Sequence, residues 1–242
     1  MMKAVDESGT CGIEVILFDA AGTLFRTARS VGEVYAEVAR DFSWKLEGAE
    51  VDRLFRSVWG AMPEPDWGRP EGEPERDWWR ALVGRVLEEA GVKATAEEVD
   101  PYFGKLWHYY AGADAWVLYE EVVEVLEKLR AGYRLGVLSN FDDRLLPVLR
   151  GLGIDHFFEV VTFSSLARAR KPDPAIFAHA LSAHRIRSCQ ALHVGDEREA
   201  DWGGARRAGM AWYELSRPRN DLRGIGVTRT SDRIFARNAE KD

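Results

Sequence analysis

Hydrophobic positions along the chain fall into two textures. Residues 13–18 make a near-continuous apolar, β-branched run bounded by Gly12 and Asp19, which predicts a buried parallel strand covered on both faces. The spacing then turns helical. Val31, Val34, Tyr35 and Val38 predict a helix over 31–40, and Val51, Leu54, Phe55 and Val58 a second over 51–59. Residues 61–76 carry Pro63, Pro65, Pro70, Pro74, Gly68 and Gly72 and predict a loop. Helical periodicity returns over 77–90, closed by Gly91, and over about 96–110. From Glu120 onward helices and strands alternate: helix 120–131, strand 134–138, helix 142–152, strand 158–163, helix 174–183 with proline in its first turn, strand 191–194, helix 198–208 and strand 210–215. Past Arg217 the pattern fades, apart from a helical stretch near 232–239.

Strands separated by helices imply a parallel sheet with right-handed crossovers, hence an α/β core. The helical block after the first strand reads as an inserted unit. Seven of the nine tryptophans lie between residues 44 and 116, and they suit the interior of that unit better than a substrate cage. Three strands end in polar residues: Asp19, Ser139-Asn140 and Gly195-Asp196. Ligands of open α/β sheets bind beyond the carboxyl ends of the strands, so these residues are expected to meet in one crevice.

Composition narrows the function. The chain is 46% hydrophobic and 30% charged, the balance of a soluble globular protein. No apolar run approaches the ~20 residues that span a bilayer, and residues 1–12 lack the apolar centre of a secretory signal. Cys11 and Cys189 make no metal or redox spacing, so a cytoplasmic location is expected. A net charge of -7 argues against nucleic acid as a partner. A small anionic substrate stays compatible, since local cations can outweigh the global charge. Nothing in the pattern sets an oligomeric state.

Four segments carry the candidate chemistry: Asp19-x-x-x-Thr23; Ser139-Asn140; Lys171 within Arg170-Lys171-Pro172-Asp173-Pro174; and Gly195-Asp196-x-x-x-x-Asp201. Singly, each fits a turn, a helix cap or a solvated charge. Together, in this order and in this strand context, they resemble the haloacid dehalogenase (HAD) superfamily over nearly the whole chain. A carboxylate can attack phosphorus or carbon and form a covalent intermediate that water hydrolyses. Three carboxylates in one crevice repel unless a hard, oxygen-seeking cation joins them, and Mg²⁺ suits that need.

The resemblance implies a Rossmann-like core of residues 1–28 and 117–242 with an all-helical cap, 29–116, that closes over the crevice; residues 61–76 are the candidate gating segment. It makes Asp19 the nucleophile. It has Mg²⁺ held by Asp19, the Ala21 carbonyl and Asp196, with Asp201 contributing directly, through water or from behind. Thr23, Ser139, the Asn140 backbone amide and Lys171 would cradle the transferring group. The expected function is a Mg²⁺-dependent phosphatase of a small phosphorylated metabolite.

One position departs from that pattern. HAD phosphatases usually carry a second aspartate two residues after the nucleophile, where it protonates the leaving group and later activates water. Here the residue is Ala21, and positioned acid–base catalysis is typically worth ~10²–10⁴-fold. Three activities tolerate the loss. The first is a phosphatase with a good leaving group, such as an acyl or aryl phosphate, or with a proton donor elsewhere. The second resembles phosphonoacetaldehyde hydrolase, with Lys45, Lys93 and Lys105 as candidate Schiff-base lysines. The third resembles L-2-haloacid dehalogenase, with Arg56 as candidate substrate-binding arginine, although that group lacks the acid seen here at Asp196. A non-catalytic binding module is a fourth reading, disfavoured by retention of the whole acidic set. His193 reads as a packed strand histidine rather than a base. His179 and His184, five apart, are poorly spaced for a shared metal.

Overall fold

A computed structural model describes residues 12–68 and 73–226. The described residues separate into two compact units, one drawn from 12–26, 118–146 and 153–226, the other from 27–117 and 147–152.

In chain order the elements are β1 (Val15–Phe18), β2 (Phe25–Thr27), α1 (Val31–Ala39), α2 (Gly48–Ala61), α3 (Pro74–Glu89), α4 (Ala96–Ala111), β3 (Trp116–Leu118), α5 (Val122–Arg130), β4 (Arg134–Ser139), α6 (Leu145–Gly151), β5 (Val160–Phe163), α7 (Ser164–Ala167), α8 (Pro174–His184), β6 (Ala191–Gly195), α9 (Gly204–Arg207) and β7 (Ala211–Glu214). Short 3₁₀ turns lie between several of them.

The first unit is built on a five-stranded sheet in the order β5-β4-β1-β6-β7, with every pair parallel. All four β1 residues are buried, as a central strand covered on both faces requires. Alternation along β1 sends Val15 and Leu17 into a cluster with Leu138, Ile176, Phe177, Ala180 and Ala205, while Ile16 and Phe18 are buried on the opposite face. Gly136 on β4 is required by close approach, because a Cβ there would collide with the His184 ring and with Leu17. The register matters for the site: Leu17 lies beside Gly136 on β4 and His193 on β6. The three central strands therefore end at one level.

The second unit is the helical block α1–α4. Its core joins Val34, Tyr35, Val51, Val58, Trp78, Leu82, Val86, Tyr102 and Leu106, with Trp44, Trp59, Trp79 and Trp107 packed on it. Apolar area explains most of that clustering. The Tyr102 hydroxyl meets its one buried obligation by donating to the Tyr35 carbonyl at 2.9 Å. Ser30 and Glu33 form a reciprocal cap at the start of α1.

Several boundaries differ from expectation. Helix α3 begins at Pro74, inside the stretch expected to be loop. Proline at the first helical position lacks only an N–H that the first turn leaves unpaired. Residues 69–72 of that loop, Cys11 and the helical stretch expected near 232–239 lie outside the described residues. Helix α6 starts at Leu145 rather than Asp142, because the Asp142 carboxylate accepts from the Arg144 N–H and closes a turn first. Residues 147–152 group with the helical unit, where side-chain-free Gly151 abuts Ala113. The helix expected over 198–208 is a π-helical turn, Arg198–Gly203, leading into the short α9. The small β2–β3 pair was not foreseen, being too short to show a period. No helix among the described residues is long and apolar enough to cross a membrane.

Candidate active site

Asp19 leaves β1 as its last sheet-bonded residue, its N–H donating to the Val194 carbonyl at 2.8 Å. The chain then folds back at once: the N–H groups of Thr23 and Leu24 both donate to the Ala20 carbonyl, and Gly22 donates to Phe25. Gly22 has φ of +90°, and a Cβ there would strike the Asp196 carboxylate. Only glycine lets this turn pass so close to the acid. Ala21, between them, is exposed.

Beyond the strand ends Asp19, Thr23, Ser139, Asn140, Lys171, Asp196 and Asp201 meet. Asp19 Oδ1 accepts from the Ser139 hydroxyl at 2.9 Å and from Lys171 Nζ at 2.6 Å. Lys171 Nζ also donates to Asp201 Oδ1 at 2.6 Å. Thr23 Oγ1 donates to Asp196 Oδ1 at 3.0 Å. Asn140 holds the backbone of Lys171 from both sides: its Nδ2 donates to the Lys171 carbonyl at 2.9 Å, and its Oδ1 accepts from the Lys171 N–H at 2.6 Å. The Asn140 side chain is thus occupied as a clamp on the lysine loop. Arg56 lies in the other unit, exposed on α2. Of the three lysines considered for a Schiff base, Lys105 donates to Asp41 at 2.6 Å, and Lys45 and Lys93 stand on the same helical unit.

Asp201 is fully buried on the π-helical turn. Its Oδ1 takes Lys171 and His193, and its Oδ2 accepts the Glu197 N–H at 2.9 Å. The widened turn lets the carboxylate fold back onto the loop that carries it.

The charges respond to this crowding. Burial, only partly offset by Lys171, pushes the Asp19 carboxyl above the usual carboxylate range. Burial also acts to raise Asp201, but Lys171 and then His193 outweigh it and hold that carboxyl well below its ordinary value. The partners diverge because Asp201 collects three donors and Asp19 two. Burial disfavours charge on Lys171, yet Asp19 and Asp201 overcome it and keep the ammonium above its ordinary value. Asp196, which takes the Thr23 hydroxyl but no cation among the described residues, is pushed up to about 7 by burial and then by Asp19. Oxygens of Asp19, Asp196 and Asp201 lie within 4.8 Å of one another, an acidic cluster able to hold a metal ion. An all-oxygen, carboxylate-rich donor set fits a hard divalent cation.

Two contributors escaped the sequence reading. Arg217, where periodicity fades, donates to the Thr23 carbonyl at 3.0 Å and to buried Glu121, with its guanidinium over the Tyr119 ring at 3.6 Å. It braces the turn after Asp19, and no spacing in the sequence announces it. His193, read as a packed strand residue, is buried as expected but also bonds Asp201. Its position two residues before Gly195, on the same face pattern, was the available signal.

Known proteins resemble this chain in sequence and in fold. Residues 13–209 match the model of the haloacid dehalogenase-like hydrolase family. The haloacid dehalogenase-like hydrolase domain-containing protein 3 of Danio rerio is 34% identical over 205 residues, covering 84% of each chain. A HAD phosphatase from Thermococcus onnurineus superposes with a TM-score of 0.58 at 23% identity, covering 86% of this chain and 88% of that one. An L-2-haloacid dehalogenase from Xanthobacter autotrophicus does so with 0.63 at 20% identity, covering 85% and 78%. The two solved structures attest the fold, while the family match and the Danio rerio relative decide membership: the chain is a hydrolase of the haloacid dehalogenase superfamily.

Proposed function

We propose that this hydrolase is a Mg²⁺-dependent phosphatase of small phosphorylated metabolites, working through an aspartyl phosphate on Asp19 and favouring acyl or aryl phosphates. One observation carries the reading. A buried carboxylate at the end of the central strand has a cation and a hydroxyl on one oxygen, while the position two residues on is an exposed methyl.

Among the described residues both hydrogen bonds to Asp19 arrive at Oδ1, which leaves Oδ2 to attack phosphorus. The new bond joins Oδ2 to phosphorus as the bond to the leaving oxygen breaks. Water then attacks phosphorus, the acyl–phosphate bond breaks and the Asp19 carboxylate returns. Lys171 and Ser139 fix the carboxylate's rotation and offset charge that builds on the transferring group. Asp19, Asp196 and the Ala21 carbonyl would hold Mg²⁺, with Asp201 acting from behind because its own oxygens are engaged. When bound, the ion supplies charge neutralisation at the phosphoryl oxygens. Ala21 can give no proton to a departing oxygen, so a leaving group that is stable as an anion is preferred.

Dehalogenation is the second reading, supported by the same alanine, since halide leaves without a proton. Retention of Asp196 beside Asp19 counts against it, because a second acid next to the nucleophile suits a cation better than a halocarboxylate. A panel of p-nitrophenyl phosphate, acetyl phosphate, phosphonoacetaldehyde and 2-chloropropionate, run with Mg²⁺ and with EDTA, separates the readings. Metal-dependent phosphate release that Asp19→Asn abolishes supports the proposal. Metal-independent chloride release overturns it.

A further inference from the structure

His193 is completely buried on β6, with Phe177 edge-on at 5.7 Å. Nδ1 lies 3.1 Å from the Leu17 carbonyl and Nε2 2.8 Å from Asp201 Oδ1. A carbonyl can only accept. Asp201 receives from Lys171 Nζ and from the Glu197 N–H, so it too is an acceptor here. The imidazole faces an acceptor at each ring nitrogen, and Nε2 is the one placed to donate to the Asp201 carboxylate.

These contacts close a circuit. His193 Nδ1 lies against the Leu17 carbonyl, His193 Nε2 meets Asp201, Asp201 accepts from Lys171, and Lys171 donates to Asp19. The circuit begins and ends on the first strand, with Leu17 two residues before Asp19. Lys171 is one ammonium shared by two carboxylates. A second donor on Asp201 compensates that carboxylate and leaves more of the lysine's field for Asp19. We infer that His193 is a positioning residue that, through Asp201, holds Lys171 Nζ on the Asp19 carboxylate. The inference deepens the reading of Asp19 as nucleophile and rests on it.

Two substitutions divide the contacts. His193→Asn keeps a donor where Nδ1 meets Leu17 and loses the one facing Asp201. His193→Gln keeps a donor where Nε2 meets Asp201. With p-nitrophenyl phosphate and Mg²⁺, kcat should fall about 10- to 100-fold in His193→Asn, with KM moving less than about threefold, and recover most of the parent rate in His193→Gln. An undiminished kcat in His193→Asn, equal losses in both variants, or a loss confined to KM would overturn the inference. A two-bond ¹H–¹⁵N spectrum of the whole protein needs neither turnover nor a folded variant: a proton on His193 Nε2, facing Asp201, is expected, and a bare Nε2 refutes the circuit. Asp19→Asn is assayed alongside. If it keeps the parent rate, the nucleophile reading has failed, and the ring spectrum still decides the His193 contacts on its own.

Discussion

Replacing Lys171 with methionine should destabilise the protein at neutral pH by about 3–5 kcal/mol, the usual loss when one member of a buried ion pair is removed. Methionine nearly preserves the buried volume, so packing contributes little. The loss is electrostatic. The lysine side chain is 2% exposed and meets two carboxylates at 2.6 Å. Without it Asp201 keeps His193 and the Glu197 N–H, while Asp19 keeps, among the described residues, Ser139. Asp19, already raised by burial, would then take up a proton. In the variant its folded pKa stands further above the unfolded value, so the native state binds more protons than the unfolded one between the two. Stability of the variant therefore falls as pH rises through that window and recovers on acidification. Urea melts followed by tryptophan fluorescence, with chelator present, at neutral pH and at about pH 5 test this. The deficit relative to the parent should shrink at the lower pH. A deficit below about 1 kcal/mol, or one that grows on acidification, would refute a doubly paired Lys171.

Three other changes probe the same site. Ala21→Asp, at an exposed position, should raise kcat/KM for an alkyl phosphate by about 10²-fold while changing an aryl phosphate much less; no gain, with Mg²⁺ binding and melting unaltered, would remove Ala21 as the cause of leaving-group preference. Gly22→Ala forces a side chain into φ of +90° and onto Asp196, and should cost about 1–3 kcal/mol and weaken Mg²⁺ binding measured by calorimetry; a parental melting point and affinity would contradict the close approach. Asp196 stands at about 7 when no cation is near, against ~3.9 unfolded. Its folded value is raised, so its contribution is fully present below the unfolded value and is lost as pH rises through about 7, by at most about 4 kcal/mol. Excess Mg²⁺ should flatten that part of the pH–stability curve, and a curve indifferent to Mg²⁺ would speak against Asp196 as a ligand.

The sequence revealed most where one physical rule governed. Residues 13–18 are apolar because a central parallel strand has no solvent face, and the strand was read within two residues of its observed start. The meeting of Asp19, Ser139 and Asp196 follows from strand ends sharing a level, which the observed register explains; Lys171 and Asp201 are implied by the family resemblance. What stayed hidden depends on contacts between segments remote in sequence. Arg217 reaches Thr23 across 194 positions. The Asn140 clamp on Lys171 uses the side chain, whereas the family resemblance points only to the backbone amide of that residue. The π-helical turn around Asp201 arises because its carboxylate bonds its own loop, a preference that a 3.6-residue period does not encode. Pro74 misled for the opposite reason: proline signals a break inside a helix but is welcome at its start.

The account turns on Asp19 becoming phosphorylated. Turnover of an aryl phosphate with Mg²⁺ can be quenched in acid, the protein reduced with borohydride, and its peptides weighed by mass spectrometry. Reduction converts an aspartyl phosphate to homoserine. Homoserine at position 19, absent without substrate, is the predicted result. Turnover with no homoserine anywhere, or with the label on another carboxylate, would contradict the account.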